Sequence, residues 1–408
     1  MRRLWLGGLL LASSVAFGDA IPGTHKIVIT PNQGVRAELL KNIAPIVDKS
    51  IAAGYYPGAV IYVSHHGHLI YQGVFGQRRL IPEPAPMQAN TIFDLASLTK
   101  VVATTPAVMQ LLEQNKLGLD DPVAKYWPAF AGNGKEHVTI RELMTHTSGL
   151  PPDIDFRGTG EAPALQQIAA ARLSDAPGTH YIYSDVNFIV LAYLVEVVSH
   201  EPFDRYVKAH VFKPLGMNHT GFLPDASTRD KIAPTELLHG QLRWGVVDDP
   251  SALALGGVAG NAGLFSTASD LGIYAQCLLN QGRVKNSNHY ILAPLSVLKM
   301  TTPQTPTALT DTRGLGWDID SAYSSRGQFF PVNSYGHTGW TGTSIWIDPV
   351  TQTWIIMLTN RVHPKALKDN AAVEDRREIA NIVASSLTDV DVTALRNTGV
   401  GEIERAYR

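Results

Sequence analysis

The stretch GAVIYVSHHGHLIYQGVFG, residues 58–76, decides the fold class. Two runs rich in β-branched and aromatic residues flank a polar turn at residues 65–68, a pattern that predicts a β-hairpin. A second hairpin is predicted near the other end of the chain, where TSIWIDP (343–349) and TWIIMLTN (353–360) flank a short turn across Asp348. The sequence therefore predicts an antiparallel sheet assembled from both ends of the chain.

Helical periodicity surrounds and separates these hairpins. Apolar residues recur at helical spacing over 35–54 and 371–387, and a capping box at Thr139 and Glu142 begins one of several helices between the hairpins. We therefore predict an α/β (α+β) fold in which an antiparallel sheet is flanked by the terminal helices and carries an inserted all-α domain. The predicted boundaries are a signal peptide at 1–20, a sheet domain at 21–95 and 305–388, a mainly α-helical domain at 96–304 and a polar tail at 389–408.

Composition excludes several classes of partner. Of the 408 residues, 45% are hydrophobic, and 34 basic residues are offset by 36 acidic ones, which argues against a nucleic-acid partner. Met1-Arg2-Arg3 and the apolar run at 4–17 are typical of a secretory signal peptide, and the run is shorter than the ~20 residues that span a bilayer. We expect a periplasmic protein with no stable membrane insertion after cleavage of the signal. The single cysteine, Cys277, excludes an internal disulfide.

Three short motifs suggest chemistry when they are taken together. Ser97-Leu98-Thr99-Lys100 places a serine three positions ahead of a lysine at a predicted helix start, so both side chains can share one helix face. This pattern occurs by chance about once or twice in a chain of this length. A second copy at 296–299 has no partner motif and is predicted to be structural. Further along the chain stand Tyr183-Ser184-Asp185 and the stretch YGHTGWTG (335–342).

In this order the three motifs resemble those of the serine β-lactamase and penicillin-binding-protein superfamily, whose class C-like branch carries Ser-x-x-Lys, Tyr-x-Asn and Lys- or His-Thr-Gly. The similarity covers roughly residues 35–385 and is greatest to periplasmic penicillin-binding protein 4B-like members. It includes the stretches TIRELMTHTSGLPP, LGGVAGNAGLFSTASDL and LTNRVHP. The resemblance implies a β-lactamase/transpeptidase-like fold and a serine acyl-hydrolase that works through an acyl-enzyme.

The resemblance also assigns roles to residues of this chain. Ser97 would be the nucleophile, and Lys100 and Tyr183 would share general-base and general-acid duty. The backbone N–H groups of Ser97 and Trp340 would form an oxyanion hole. The opposite wall of the site would be lined by His337, Thr338 and Gly339.

Two residues depart from the usual pattern. Asp185 stands where most relatives have asparagine, and a carboxylate can only accept hydrogen bonds while favouring the ammonium form of Lys100. His337 stands where many relatives have lysine, and a largely neutral imidazole gives less positive charge for a β-lactam carboxylate. Both departures favour a D,D-carboxypeptidase or an esterase over an efficient β-lactamase.

Alternatives remain open at this level. A true β-lactamase would use the same residues, and a non-catalytic sensor would bind penicillin or peptidoglycan peptides without turnover. The expected partner is a small-molecule or peptidoglycan-peptide substrate, with no organic cofactor. No metal is expected, because neighbouring strand residues among the histidines at 65–68 should point to opposite faces.

Overall fold

The computed structural model describes residues 25–369 and 371–392, so the predicted signal peptide and most of the predicted tail lie outside the described residues. The strands are β1 (His25–Ile29), β2 (Gly58–His65), β3 (His68–Arg79), β4 (Ala85–Pro86), β5 (Phe93–Asp94), β6 (Gly221–Phe222), β7 (Leu237–Leu238), β8 (Gln241–Leu242), β9 (Leu264–Ser266), β10 (Thr312–Arg313), β11 (Asp318–Asp320), β12 (Tyr335–Thr338), β13 (Ser344–Asp348) and β14 (Thr353–Thr359). The helices are α1 (Ala37–Leu40), α2 (Ile43–Ala52), α3 (Thr105–Glu113), α4 (Ile140–Met144), α5 (Glu161–Ala170), α6 (Asp185–Ser199), α7 (Phe203–Val207), α8 (Lys213–Leu215), α9 (Pro250–Ala254), α10 (Ala268–Leu279), α11 (Pro294–Thr301) and α12 (Ala371–Ser386).

The main sheet confirms the predicted architecture. It is antiparallel, and within the described residues its strands run in the order β1-β3-β2-β14-β13-β12-β11-β10, with β4 paired to β3. β14, the second strand of the C-terminal hairpin, pairs with β2 of the first hairpin from Thr353 opposite His65 to Thr359 opposite Ala59. This pairing joins the N-terminal and C-terminal parts of the chain into one sheet.

Alternation along the central strands explains why the sheet is buried on both faces. Ile61 and Val63 pack with α2 and α12 through Val47 and Ile379, whereas Val60 belongs to the larger core shared with the helices of the insertion. Each such apolar side chain stabilises the fold by roughly 1.5–3 kcal/mol relative to an exposed one. The terminal helices thus cover one face of the sheet and the insertion covers the other.

The insertion is mainly helical, but the prediction of an all-α insertion needs a correction. It also carries β6 and β9, which form a three-stranded sheet with β5, and the β7–β8 hairpin. Strands of two or three residues are too short to show an alternating pattern. The capping box that begins α4 is present as predicted, with the Thr139 side chain accepting from the Glu142 amide.

No single helix in the described parts of the chain is long and apolar enough to cross a membrane. One bent pair, Asp185–Ser199 with Phe203–Leu215, meets the length and composition test across a bend of 79°.

Candidate active site

Ser97 stands on a tight turn between β5 and a helix. Ala96 has a positive φ of 47°, and its amide donates to Asp94 Oδ1 at 2.9 Å, which fixes the turn. Burial raises the pKa of Asp94 to about 7. The chain then forms a π-helix over Lys100–Thr104 before α3, an irregularity frequent at functional sites. Ser97 is partly exposed, while Lys100 one turn later is fully buried.

Three oxygen atoms surround the Nζ of Lys100. It donates to Ser97 Oγ at 2.9 Å and to the Asn261 carbonyl at 3.0 Å, and it lies 2.6 Å from Asp185 Oδ1. An ammonium group has three N–H bonds and no lone pair, so this arrangement suits the charged form. Removal of one proton would leave a lone pair directed at Ser97.

The electrostatic surroundings of Lys100 favour that charged form. Burial alone would lower the pKa of Lys100, but the Asp185 carboxylate and the Tyr183 hydroxyl outweigh it, and the net direction is upward. Asp185 is the first residue of α6, where the helix dipole favours a negative charge. The carboxylate that replaces the usual asparagine therefore holds a proton on the lysine.

Tyr183 is positioned by a buried histidine that lies outside the three motifs, in the stretch TIRELMTHTSGLPP. The ring of His146 stacks on Tyr183 with centroids 4.4 Å apart, and His146 Nδ1 accepts from the Ser184 amide at 3.0 Å. Since an amide N–H can only donate, this nitrogen carries no proton. Burial, followed by the charges of Arg313 and Lys100, holds the pKa of His146 well below its usual value.

The opposite wall of the site is the end of β12 and the turn that follows. His337 Nδ1 lies 2.8 Å from the Thr338 carbonyl, so this nitrogen must carry the proton, and burial holds the pKa of His337 well below its usual value. Gly339 is required by close approach: a Cβ there would lie 2.4 Å from the Leu95 carbonyl oxygen. The hydroxyl of Thr343 donates to the same carbonyl at 2.9 Å and ties this turn to the strand before Ser97.

One cavity of about 310 Å³ joins the predicted residues. Six of the eight predicted site residues line it: Ser97, Tyr183, His337, Thr338, Gly339 and Trp340. Lys100 and Asp185 lie behind Ser97 and reach the site through the contacts described above. In the described parts of the chain, the backbone N–H groups of Ser97 and Trp340 donate to no protein acceptor, as an oxyanion hole requires.

Two buried arginines line the cavity but were not predicted as site residues from the sequence. Arg313 is 1% exposed; it donates to the Tyr181 hydroxyl at 3.2 Å and to the Gly316 carbonyl at 2.9 Å. Arg376 of α12 is also buried and donates to the Thr343 carbonyl. Neither belongs to a short motif, so only the fold reveals that both line the same cavity as Ser97.

The second Ser-x-x-Lys copy has a different environment. Ser296 lies on α11, and Lys299 on the same helix is exposed. Its charge lowers the pKa of Asp120 only as a minor contribution behind the Arg141 hydrogen bond. The environment, and not the four-residue pattern, thus separates the two copies.

The fold and this arrangement of serine, lysine and tyrosine define a class of enzyme, and the chain is a serine hydrolase. It belongs to the Beta-lactamase family, whose pattern matches residues 43–378.

Individual relatives agree with this assignment. The chain is 32% identical over 399 residues to a "Putative D-alanyl-D-alanine carboxypeptidase" of Escherichia coli (strain K12), covering 87% of this chain and 91% of that protein. The solved structure "EstCE1, a hydrolase with promiscuous acyltransferase activity" aligns with a TM-score of 0.69 at 23% identity, covering 84% of this chain and 98% of the other. "A class C beta-lactamase" aligns with a TM-score of 0.69 at 21% identity, covering 87% and 98%. At these identities the two structures show the shared fold alone.

Proposed function

We propose that the protein is a D,D-carboxypeptidase that releases the C-terminal D-alanine of peptidoglycan peptides through an acyl-enzyme on Ser97. The observation that carries this proposal is the buried guanidinium of Arg313 in the cavity that also holds Ser97. A carboxypeptidase substrate differs from a neutral ester by its free carboxylate, and an arginine is the side chain best suited to bind that group.

The charge of the cavity supports an anionic substrate. Its lining includes two guanidinium groups, Arg313 and Arg376, and one carboxylate, Asp318. Asp318 Oδ1 lies 3.9 Å from Arg313 Nη1, too far for a hydrogen bond, and burial raises the pKa of Asp318. The balance of charge is positive before any substrate enters. The name given to the Escherichia coli relative agrees with this substrate class.

Acylation can be written from the contacts around Lys100. In its neutral form Lys100 Nζ takes the proton of Ser97 Oγ at 2.9 Å, and the resulting alkoxide attacks the carbonyl carbon of the scissile amide while Asp185 Oδ1, 2.6 Å from Nζ, stabilises the ammonium that forms. The amides of Ser97 and Trp340 would stabilise the oxyanion. When the C–N bond breaks, the leaving amine takes a proton from Tyr183, which recovers one from the Lys100–Asp185 pair. Water then hydrolyses the ester on Ser97 by the reverse use of the same groups.

Neutral His337 favours peptides over β-lactams in this scheme. Burial holds the pKa of His337 well below its usual value, so this residue adds no positive charge to the wall where relatives with lysine have one. His337 Nε2 has no hydrogen-bond partner within the described residues and can accept from a substrate N–H. We place the enzyme in the periplasm, on the support of the signal-like residues 1–20.

The proposal is tested by comparing three substrates: an acyl-D-alanyl-D-alanine peptide, the same peptide as its C-terminal amide, and a nitrophenyl ester. We expect kcat/KM to favour the free carboxylate over the amide. Arg313→Gln should remove that preference while ester hydrolysis persists, and Arg313→Lys should restore part of it.

Circular dichroism of each variant would establish that it is folded. Ester hydrolysis by the wild type without release of D-alanine would refute the carboxypeptidase assignment in favour of an esterase. A penicillin label on Ser97 that never leaves, with neither substrate turned over, would favour the sensor.

A further inference from the structure

The turn of the β2–β3 hairpin brings two histidines together. His65 pairs with His68 across a two-residue turn, and His66 and Gly67 both have positive φ, at 48° and 76°. Strand alternation no longer applies to His66 in this conformation. The imidazole rings of His65 and His66 therefore lie on the same side, with centroids 4.2 Å apart.

A carboxylate from the other end of the chain completes the group. After α12 the backbone runs beside the segment between β1 and α1, where the Thr388 amide donates to the Gly34 carbonyl at 2.8 Å. Asp389 Oδ1 lies 3.0 Å from His65 Nε2, and Asp389 Oδ2 lies 3.5 Å from His66 Nε2. The carboxylate occupies space that only a glycine leaves free, since a Cβ on Gly34 would lie 2.0 Å from Oδ2.

The hydrogen bonds of Thr353 are compatible with the His65 tautomer that a metal at Nε2 needs. The Thr353 hydroxyl donates to the Thr351 carbonyl at 3.1 Å, so its oxygen accepts from His65 Nδ1 at 2.9 Å. The lone pair of Nε2 then faces two carboxylate oxygens at 3.0 and 3.2 Å. In this tautomer two acceptors are in contact, an arrangement that a metal cation between them would stabilise.

We propose that His65, His66 and Asp389 bind a zinc ion. The three ligand atoms lie within 4.8 Å of one another, and tetrahedral ligands at about 2.0–2.2 Å from zinc are separated by roughly 3.3 Å. Two imidazoles and one carboxylate suit zinc, whereas calcium and magnesium prefer oxygen ligands alone. Water would take the fourth position, because His66 is half exposed. The ordered Nδ1–H of His65 is the outer hydrogen bond that metal-binding histidines usually make.

The site is separate from the catalytic centre. His65 pairs with Thr353 at one end of the sheet, whereas Thr338 of the active site pairs with Ser344, which in turn pairs with Met357. Zinc therefore ties the segment that follows α12 to the first hairpin and does not touch Ser97.

The test uses purified full-length protein without a histidine tag. Isothermal titration with ZnCl₂ should show one equivalent bound, and His66→Ala should weaken binding at least about tenfold. His68→Ala is the matched control, because His68 belongs to the same turn but lies outside the three-ligand group, and it should leave the affinity unchanged. Gly34→Ala should weaken binding by displacing Asp389. Thermal unfolding with and without ZnCl₂ gives a second readout, and zinc should raise the Tm of the wild type and of His68→Ala only.

Equal zinc affinity of the wild type and His66→Ala would overturn the proposal, as would an absence of binding or equal binding of CaCl₂. Ester hydrolysis reports separately on Ser97 and should be unaffected by removal of zinc.

Discussion

Replacement of Asp185 by asparagine tests how Lys100 is held in its charged form. At 2.6 Å and an effective dielectric constant of about 20, the two charges attract by roughly 6 kcal/mol. Desolvation of both groups offsets part of this attraction, and the asparagine oxygen still accepts from Nζ. A neighbouring charge of this kind commonly changes a pKa by about 1–3. We expect Asp185→Asn to lower the pKa of Lys100 by an amount in that range.

The assay is the pH dependence of acylation by a nitrophenyl ester, measured as kcat/KM from pH 5 to 10. Because the pKa of wild-type Lys100 is raised above its usual value, the rate should still be rising at pH 10. In Asp185→Asn the rising part of the profile should move to lower pH. At a pH below the pKa of Lys100, the neutral fraction of this lysine increases about tenfold each time the pKa falls by one.

Asp249→Asn supplies the matched control. Asp249 caps α9 and accepts from the Asn261 side chain, contacts that asparagine can keep through its own oxygen, and its pKa is raised by burial and then by Asp185. This variant should move the profile less than Asp185→Asn does. An unchanged profile in Asp185→Asn, or an equal displacement in both variants, would refute the argument that the carboxylate beside Nζ controls the lysine.

Three further predictions concern the nucleophile, the neutral histidine and a helix cap. Ser97→Ala should abolish covalent labelling by penicillin, as judged by intact mass, whereas Ser296→Ala should label normally; label on the Ser97→Ala protein would exclude that serine. His337→Gln should leave the pH profile of ester hydrolysis in place, because burial already holds the pKa of His337 well below its usual value; loss of an inflection near pH 6.5 would contradict this. Thr139→Ala removes the cap of α4 and should cost about 1 kcal/mol of unfolding free energy in urea, whereas Thr139→Ser should be nearly neutral; equal stability of both would show that the cap contributes little.

The sequence was most informative where local chemistry determines structure. Both hairpins and the last helix were predicted because their periodicity extends over many residues. Helix 35–54 is broken at residues 41–42 into α1 and α2, and β1 was not predicted because its five residues form a partly exposed edge strand. The secondary structure of a long periodic segment can be predicted from its own residues, whereas helix breaks and edge strands depend on packing against the rest of the protein.

Only the residues of the candidate site that belong to the short motifs could be predicted from the sequence. Ser97, Tyr183 and His337 were found through their order along the chain. Arg313 was missed because nothing near it in sequence relates it to a serine more than 200 positions earlier; the fold alone brings them together. The direction of the His66 side chain was predicted wrongly for a different reason. The alternation rule holds for extended backbone and fails at a positive φ.

The central position of β14 affects how the chain can fold. β2 is buried over its whole length, yet its second neighbour in the sheet is the strand at 353–359, almost 300 residues later. Until that strand has been synthesised, the first hairpin presents an apolar edge with unpaired backbone groups, which is the kind of surface that promotes aggregation. Pairing over such a sequence separation is slow, because the entropy of closing a long loop opposes it. A fragment that ends before residue 353 therefore lacks the strand that joins the two parts of the sheet. The hydrolase can reach its native structure only after nearly all of the chain has been synthesised.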